Sequence, residues 1–132
     1  MKISIDVLSG AGRKTAAAIL MTCSDEGNPR PIRFLLDAGG ALEAGEDKGW
    51  EIPDNLDAIF ISHDHEDHMG ALREIAQDNK VNQIPIYATT EVQKQFPAGL
   101  NVRTLPVCGV LPIEGITVTT VSAGHSFGGV WR

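Results

Sequence analysis

Residues 57–70, Asp-Ala-Ile-Phe-Ile-Ser-His-Asp-His-Glu-Asp-His-Met-Gly, constrain this chain more than any other stretch. Ala58 to Ile61 is apolar without alternation, the pattern of a strand buried on both faces of a covered sheet. It runs straight into His63-Asp64-His65-Glu66-Asp67-His68. After Gly70 the pattern changes to Leu72, Ile75 and Ala76, a helical stripe that predicts a helix over Met69 to Asn79. A cluster of acids and imidazoles therefore fills the turn between a buried strand and a helix. Ligand sites collect at such turns in layered α/β folds.

The cluster points to a metal. Three of the four His of the chain fall within six residues. Neutral imidazole is the commonest zinc ligand, and carboxylate oxygen is its ordinary companion. His63 and His65, two residues apart, project from an extended turn toward one ion. Asp67 and His68 lie further round the turn and face a second. Two ions about 3.5–4 Å apart clamp the attacking and leaving oxygens of a displacement. A merely solvated turn gives no reason to crowd imidazoles against acids.

His-x-His-x-Asp-His after an apolar strand resembles the signature of the metallo-β-lactamase fold superfamily. Phe34-Leu35-Leu36-Asp37-Ala38-Gly39 resembles the upstream strand of that family, which ends in an Asp. Ser122-Ala123-Gly124-His125-Ser126 resembles its third motif, where a His completes the first metal site. The resemblance implies an α/β (α+β) fold, an αββα sandwich. Residues 1–132, read as a single domain, supply its N-terminal half. The bridging Asp and last His of the family do not appear between His125 and Arg132.

The same resemblance implies roles. His63, His65 and His125 would hold a first zinc ion, and Asp67 and His68 a second. Asp67 would also be catalytic, orienting the attacking water and taking its proton. Asp37 would stand behind the ligands, accepting hydrogen bonds that brace the motif turn. Asp64 and Glu66 occupy variable positions and would point outward or stand behind the ligands. His65 stands where the flavodiiron branch carries Glu, and an all-imidazole first site favours zinc over iron. Ala123-Gly124-His125 with Gly128 is similar to the nucleic-acid-processing branch. The expected activity is zinc-dependent hydrolysis of a phosphodiester or nucleic acid by a metal-activated water. Thioester hydrolysis is one alternative. A non-catalytic, metal-binding half-domain serving as an interaction module is another.

Composition adds bounds. At 132 residues and 42% hydrophobic content, the chain suits one domain with a real core. It has no apolar run of membrane-spanning length, so no membrane role is expected. Met1 to Asp6 alternates like a strand and lacks the apolar core of a signal peptide, so a cytoplasmic location is expected. Cys23 and Cys108 then read as free thiols, small buried hydrophobes in preference to ligands. The net charge of −6 gathers in residues 38–57, where Glu43, Glu46, Asp47, Glu51, Asp54 and Asp57 face one base, Lys48.

In chain order, Ile3, Ile5 and Val7 alternate as a strand, Ser9 to Gly12 turns, and Thr15 to Thr22 and Ile32 to Asp37 complete an antiparallel meander. Residues 38–56 form a Gly- and acid-rich loop carrying Trp50. Ile84 to Ala88 is a strand whose Pro85 marks an edge or a start. Thr90-Glu91-Val92-Gln93 resembles a capping box before a short helix that Pro97 ends. Val102 to Leu105 and Ile116 to Val121 are strands, the second delivering His125, and Ser126 to Trp131 starts one more. Ala58 to Ile61 and Ile116 to Val121 are apolar enough to require cover on both sides. Since the family resemblance assigns that cover to the other half, self-association or pairing with a C-terminal half is expected.

Overall fold

The computed structural model describes residues 2–10, 16–25, 27–40, 48–62, 66–113, 115–122 and 130–131. Strands β1 (Lys2–Ser9), β2 (Ala18–Asp25) and β3 (Asn28–Leu36) form the antiparallel meander. β2 begins three residues later than its apolar run suggests. β3 begins at Asn28, so the turn after Asp25 is tight, with Asp25 opposite Asn28. Pro29 and Pro31 are tolerated there because β4 meets β3 only from Phe34 onward, leaving the first part of β3 without a neighbour on that side.

From β3 the sheet becomes parallel: β4 (Ala58–Phe60), β5 (Pro85–Ala88) and β6 (Asn101–Thr104) follow in order. Pro85 starts β5, which is an interior strand and not an edge. β7 (Gly109–Ile113), β8 (Ile116–Ser122) and β9 (Val130–Trp131) form a second, three-stranded antiparallel sheet. β7 is absent from the sequence reading. Its Gly109 and Pro112 speak against a strand, but it lies at an edge of its sheet, where a missing N–H costs little. Gly115, at φ +79°, turns the chain into β8, and Ile113 pairs with Ile116.

The layers follow from alternation. Phe34, Ala58, Phe60 and Tyr87 point to one face of the large sheet and pack against Leu111, Ile113, Ile116 and Val118 of the small one. Phe60 sits edge-on to Phe34 and stacked on Tyr87, each 5.2 Å between centroids. Leu35, Ile59, Ile61, Ile86 and Ala88 point to the other face, under two helices. These are α2 (Leu72–Gln77), through Leu72 and Ile75, and α3 (Thr90–Gln93), through Val92. The order is helices, sheet, sheet, as expected for part of an αββα sandwich.

Two expectations are corrected by this packing. β4 is sealed on both faces by layers within residues 1–132, with every residue buried. β8 shows Thr117 and Thr119 to solvent and needs cover on one face only. Among the described residues, an uncovered apolar stripe lies at β1. Ile3, Ile5 and Val7 pair with Cys23, Met21 and Ile19, which pair in turn with Ile32, Phe34 and Leu36. Directly paired residues share a face, so the β1 stripe continues the face that meets the small sheet. Its three side chains are 52–62% exposed.

The helix after the cluster also differs from its sequence pattern. It starts as α1 (Glu66–Met69), breaks at Gly70 and Ala71, and resumes as α2. The break has a partner: Ala71 N–H donates to Ala38 O at 2.9 Å instead of to the preceding turn. Helix α3 lacks the capping box. Thr89 is its N-cap with no side-chain cap bond, and the helix stops at Gln93, before Pro97. Gln93 Nε2 instead donates to Ala88 O at 2.9 Å and Thr104 Oγ1 at 3.0 Å, joining the ends of β5 and β6.

Candidate metal centre

Parallel strands β3, β4, β5 and β6 all end on one side of the sheet. Asp37 N–H donates to Phe60 O at 2.7 Å, Ile61 N–H to Tyr87 O at 3.0 Å, and Leu105 N–H to Ala88 O at 2.8 Å, tying those ends together. Side chains just beyond such strand ends are where open α/β sheets bind ligands. The residue after β3 is Asp37, and β4 leads through Ile61 to Ser62, immediately before the His-Asp-His cluster.

Asp37 is buried, and its backbone is left-handed at φ +63°. Asp tolerates that region better than most residues. The conformation turns the chain out of β3 while the carboxylate stays within reach of β4. Among the described residues, Ser62 and His68 meet it. Ser62 N–H donates to Oδ1 at 2.7 Å. Ser62 Oγ lies 2.9 Å from both oxygens. His68 Nδ1 lies 2.8 Å from Oδ2. The carboxylate therefore bridges the end of β4 to helix α1, the bracing that the sequence reading assigns to it.

The backbone beside it is equally tied. Ala38 N–H donates to His68 O at 2.8 Å, and Ala38 O accepts from Ala71, so Ala38 clasps both sides of the helix break. Gly39 N–H donates to Ala17 O at 2.9 Å, and Gly39 O accepts from Trp50 Nε1 at 3.0 Å. Trp50, in what the sequence shows as a loop, is buried and tied to the Gly39 carbonyl. Lys48 lies 5.5 Å over its ring and pairs with Glu74 of α2 at 3.1 Å. Sequence reasoning missed Ser62 as part of the site. The signal was its place between the buried strand and His63, where its N–H and O–H face the end of the neighbouring strand.

The candidate ligands divide. His68 is in α1, partly exposed, with Nδ1 on the carboxylate. Asp67 and Glu66 also lie in α1, so the helix begins inside the cluster and not after it. His63, Asp64, His65 and His125 lie outside the described residues, as do the side chains of Glu66 and Asp67. The pairing of His68 tests the chemistry. An imidazole whose Nδ1–H is given to a carboxylate carries its lone pair on Nε2, the arrangement of a metal-ligating histidine. Among the described residues no three His, Cys, Asp or Glu stand together as a metal site, and the orientation of His68 on Asp37 is compatible with a ligand whose companions lie in the neighbouring segment. Neither thiol joins it as a sequence-neighbour of the cluster: Cys23 is buried in β2, its thiol pushed up by burial, and Cys108 is exposed before β7.

Residues 32–129 match the family model described as a β-lactamase superfamily domain. The chain belongs to the metallo-β-lactamase superfamily. Its relatives include a UPF0173 metal-dependent hydrolase of Methanopyrus kandleri, 31% identical over 85 residues, covering 63% of this chain and 36% of that protein. Another UPF0173 metal-dependent hydrolase, from Polaromonas, is 30% identical over 97 residues, covering 69% of this chain and 34% of that protein. The fold is shared with the metallo-β-lactamase fold protein YhfI of Bacillus subtilis, at TM-score 0.62 and 20% identity, over 90% of this chain and 52% of that one. It is also shared with the chemotaxis sensor ODP, solved as a peroxy diiron species, at TM-score 0.61 and 19% identity. That match covers 97% of this chain and 53% of that one. The chain spans about a third of the length of these curated relatives and about half of these solved structures. Among the described residues, no helix is long and apolar enough to cross a membrane.

Proposed function

We propose that this superfamily chain carries the metal-holding part of a metal-dependent hydrolase, with zinc as the ion and a phosphodiester as the substrate class. One observation carries the reading. Asp37, fixed by Ser62 at the ends of β3 and β4, receives His68 Nδ1 at 2.8 Å, directly beside a segment with two more His and three acids. The hydrolase names of the Methanopyrus and Polaromonas relatives support the reaction class.

The residues take the following parts. His63, His65 and His125 are the first imidazole set, and His68 with Asp67 the second. A bound divalent ion would supply Lewis acidity and bring an attacking water near neutral pKa. Asp67 orients that water and accepts its proton. Asp37 holds the ring of His68 in place. Imidazole donors favour zinc over harder ions, and Ala123-Gly124-His125 with Gly128 supports the phosphodiester assignment over a thioester. The exposed β1 stripe supports a further part: pairing of this face with another polypeptide, foremost a second copy of the chain.

The test uses a form of the protein that hydrolyses a model phosphodiester such as bis(p-nitrophenyl) phosphate. Asp67→Asn should lower turnover at least about a hundredfold, the lower range for a lost general base. Glu66→Gln should change it far less. Equal losses from the two substitutions would overturn the assignment.

A further inference from the structure

We infer that β1 is a self-pairing edge: two copies of this chain join antiparallel through it, in the register centred on Ser4. The inference rests on the reading that the β1 stripe meets a second copy, and it adds the edge, the direction and the register. Among the described residues, β1 is the outer strand of the six-stranded sheet and pairs with β2 alone. Its ladder with β2 is regular from Lys2 to Val7 and shifts beyond Val7. Every residue of that regular stretch is exposed. Such an edge presents unpaired N–H and C=O groups to an arriving strand.

The residues along the edge select which strand fits. Lys2-Ile3-Ser4-Ile5-Asp6 reads Lys-Ile-Ser from one end and Asp-Ile-Ser from the other. Directly paired residues share a face, so an antiparallel copy keeps isoleucine beside isoleucine only if odd positions meet odd and even meet even. Centred on Ser4, Ile3 meets Ile5 of the second copy and Lys2 meets Asp6 of the second copy. The two-fold axis repeats both contacts. A centre at Ile3 sets Lys2 against Ser4, and a centre at Ile5 sets it against Leu8. A centre at Asp6 sets acid on acid, and a parallel copy in register sets like charge on like at both Lys2 and Asp6. Of these arrangements, only the one centred on Ser4 pairs opposite charges. A lysine on an edge strand ordinarily keeps other strands away. Here an acid four residues later makes the same edge complementary to its own copy. Among the described residues, neither Lys2 nor Asp6 forms an ion pair within the chain, so both charges are available to the second copy. Pairing in this register also joins the two stripes of Ile3 and Ile5 into one, each side chain flanked by one from the other copy.

The test is sedimentation of the whole chain at low salt, where exposed charges are least screened. The wild type should dimerise. Lys2→Asp sets acid on acid at both ends and should weaken dimerisation about tenfold or more, and Asp6→Lys, which sets base on base, should do the same. An equimolar mixture of the two single variants should form a heterodimer about as tight as the wild-type dimer. The double variant Lys2→Asp/Asp6→Lys should recover self-association, because it exchanges the two ends of the same pairs. These positions are exposed, so the variants keep the fold. Single variants that dimerise as well as the wild type would overturn the inference, as would a mixture or a double variant that fails to recover. If Ile5→Lys still dissociates the dimer in that case, only the register falls and pairing through the stripe stands. A wild-type chain that stays monomeric at every concentration would overturn both.

Discussion

Replacing Asp37 by Asn separates what the carboxylate does for the fold from what it does for the ligand. Asn keeps the shape and tolerates the left-handed φ of +63°, so backbone strain is not the variable. Its one carbonyl oxygen still accepts from Ser62 N–H. Its amide nitrogen then faces His68 Nδ1, where the native protein has an acceptor, while the Ser62 hydroxyl can turn to accept from it. One donor-to-donor conflict at a buried position costs about 1–3 kcal/mol, and exchanging charge-assisted for neutral bonds at the other contacts adds about 1 kcal/mol. The expected loss is about 2–4 kcal/mol, measured by urea denaturation of metal-free protein. Relief is available by moving the His68 proton to Nε2, which removes the conflict and the ligating lone pair together. Zinc affinity, read by competition with a chromogenic chelator, should therefore fall about 10–100-fold. Stability within about 0.5 kcal/mol of the native protein, together with unchanged zinc affinity, would refute the reasoning, because neither can hold if the carboxylate accepts all three bonds.

Three further outcomes follow from other parts of the structure. Asp57 accepts from Arg33 N–H at 2.9 Å and from Arg30 Nη2 at 2.7 Å while nearly buried, whereas the Arg30 side chain is 64% exposed. Asp57→Ala should cost about 1–3 kcal/mol and Arg30→Ala less than about 1 kcal/mol, and equal effects in thermal melts would contradict this. Burial raises the pKa of the Cys23 thiol above its usual value, and Cys108 is exposed. A thiol reagent at pH 8 should label Cys108 quickly and Cys23 only on unfolding. Because the folded thiol holds its proton to higher pH than the unfolded one, its contribution is present below the unfolded pKa and is lost as pH rises through the folded value. Finally, sedimentation should give an apparent mass above 14.1 kDa, and Ile5→Lys on the exposed β1 stripe should lower it. A concentration-independent monomer would remove the argument for pairing through that face.

The strand-end framework around Asp37 was legible because its pattern is local. Ala58 to Ile61 is apolar at every position, and only a strand covered on both faces buries such a run. The polar block after it then reads as the turn at the end of that strand, although Glu66 to His68 already belong to helix α1. Asp37 was legible as the end of a neighbouring strand. Ser62 was not, since a serine beside three histidines carries no signal until β3 and β4 are set in register. The helix break at Gly70 and Ala71 was hidden for a similar reason. The stripe of Leu72 and Ile75 is continuous, and what interrupts the helix is the backbone of Ala38, more than thirty residues away in sequence. β7 was missed because Gly109 and Pro112 are poor strand residues, and only its edge position makes them acceptable. Trp50 looked like a loop residue because its partner is the carbonyl of Gly39. The expected need for outside cover failed at β4 because sequence shows that a strand is apolar, and not which layers the same chain folds over it.

The most direct test of a nitrogen- and oxygen-ligated metal centre is zinc-edge X-ray absorption on the chain carrying no more than one equivalent of zinc. Imidazole nitrogen from the His-rich segment, with oxygen, should appear at about 2.0–2.1 Å and no sulfur near about 2.3 Å. About one zinc or fewer should survive mild dialysis. A sulfur shell would move the site to Cys23 or Cys108, and the absence of any retained zinc would contradict the metal centre itself.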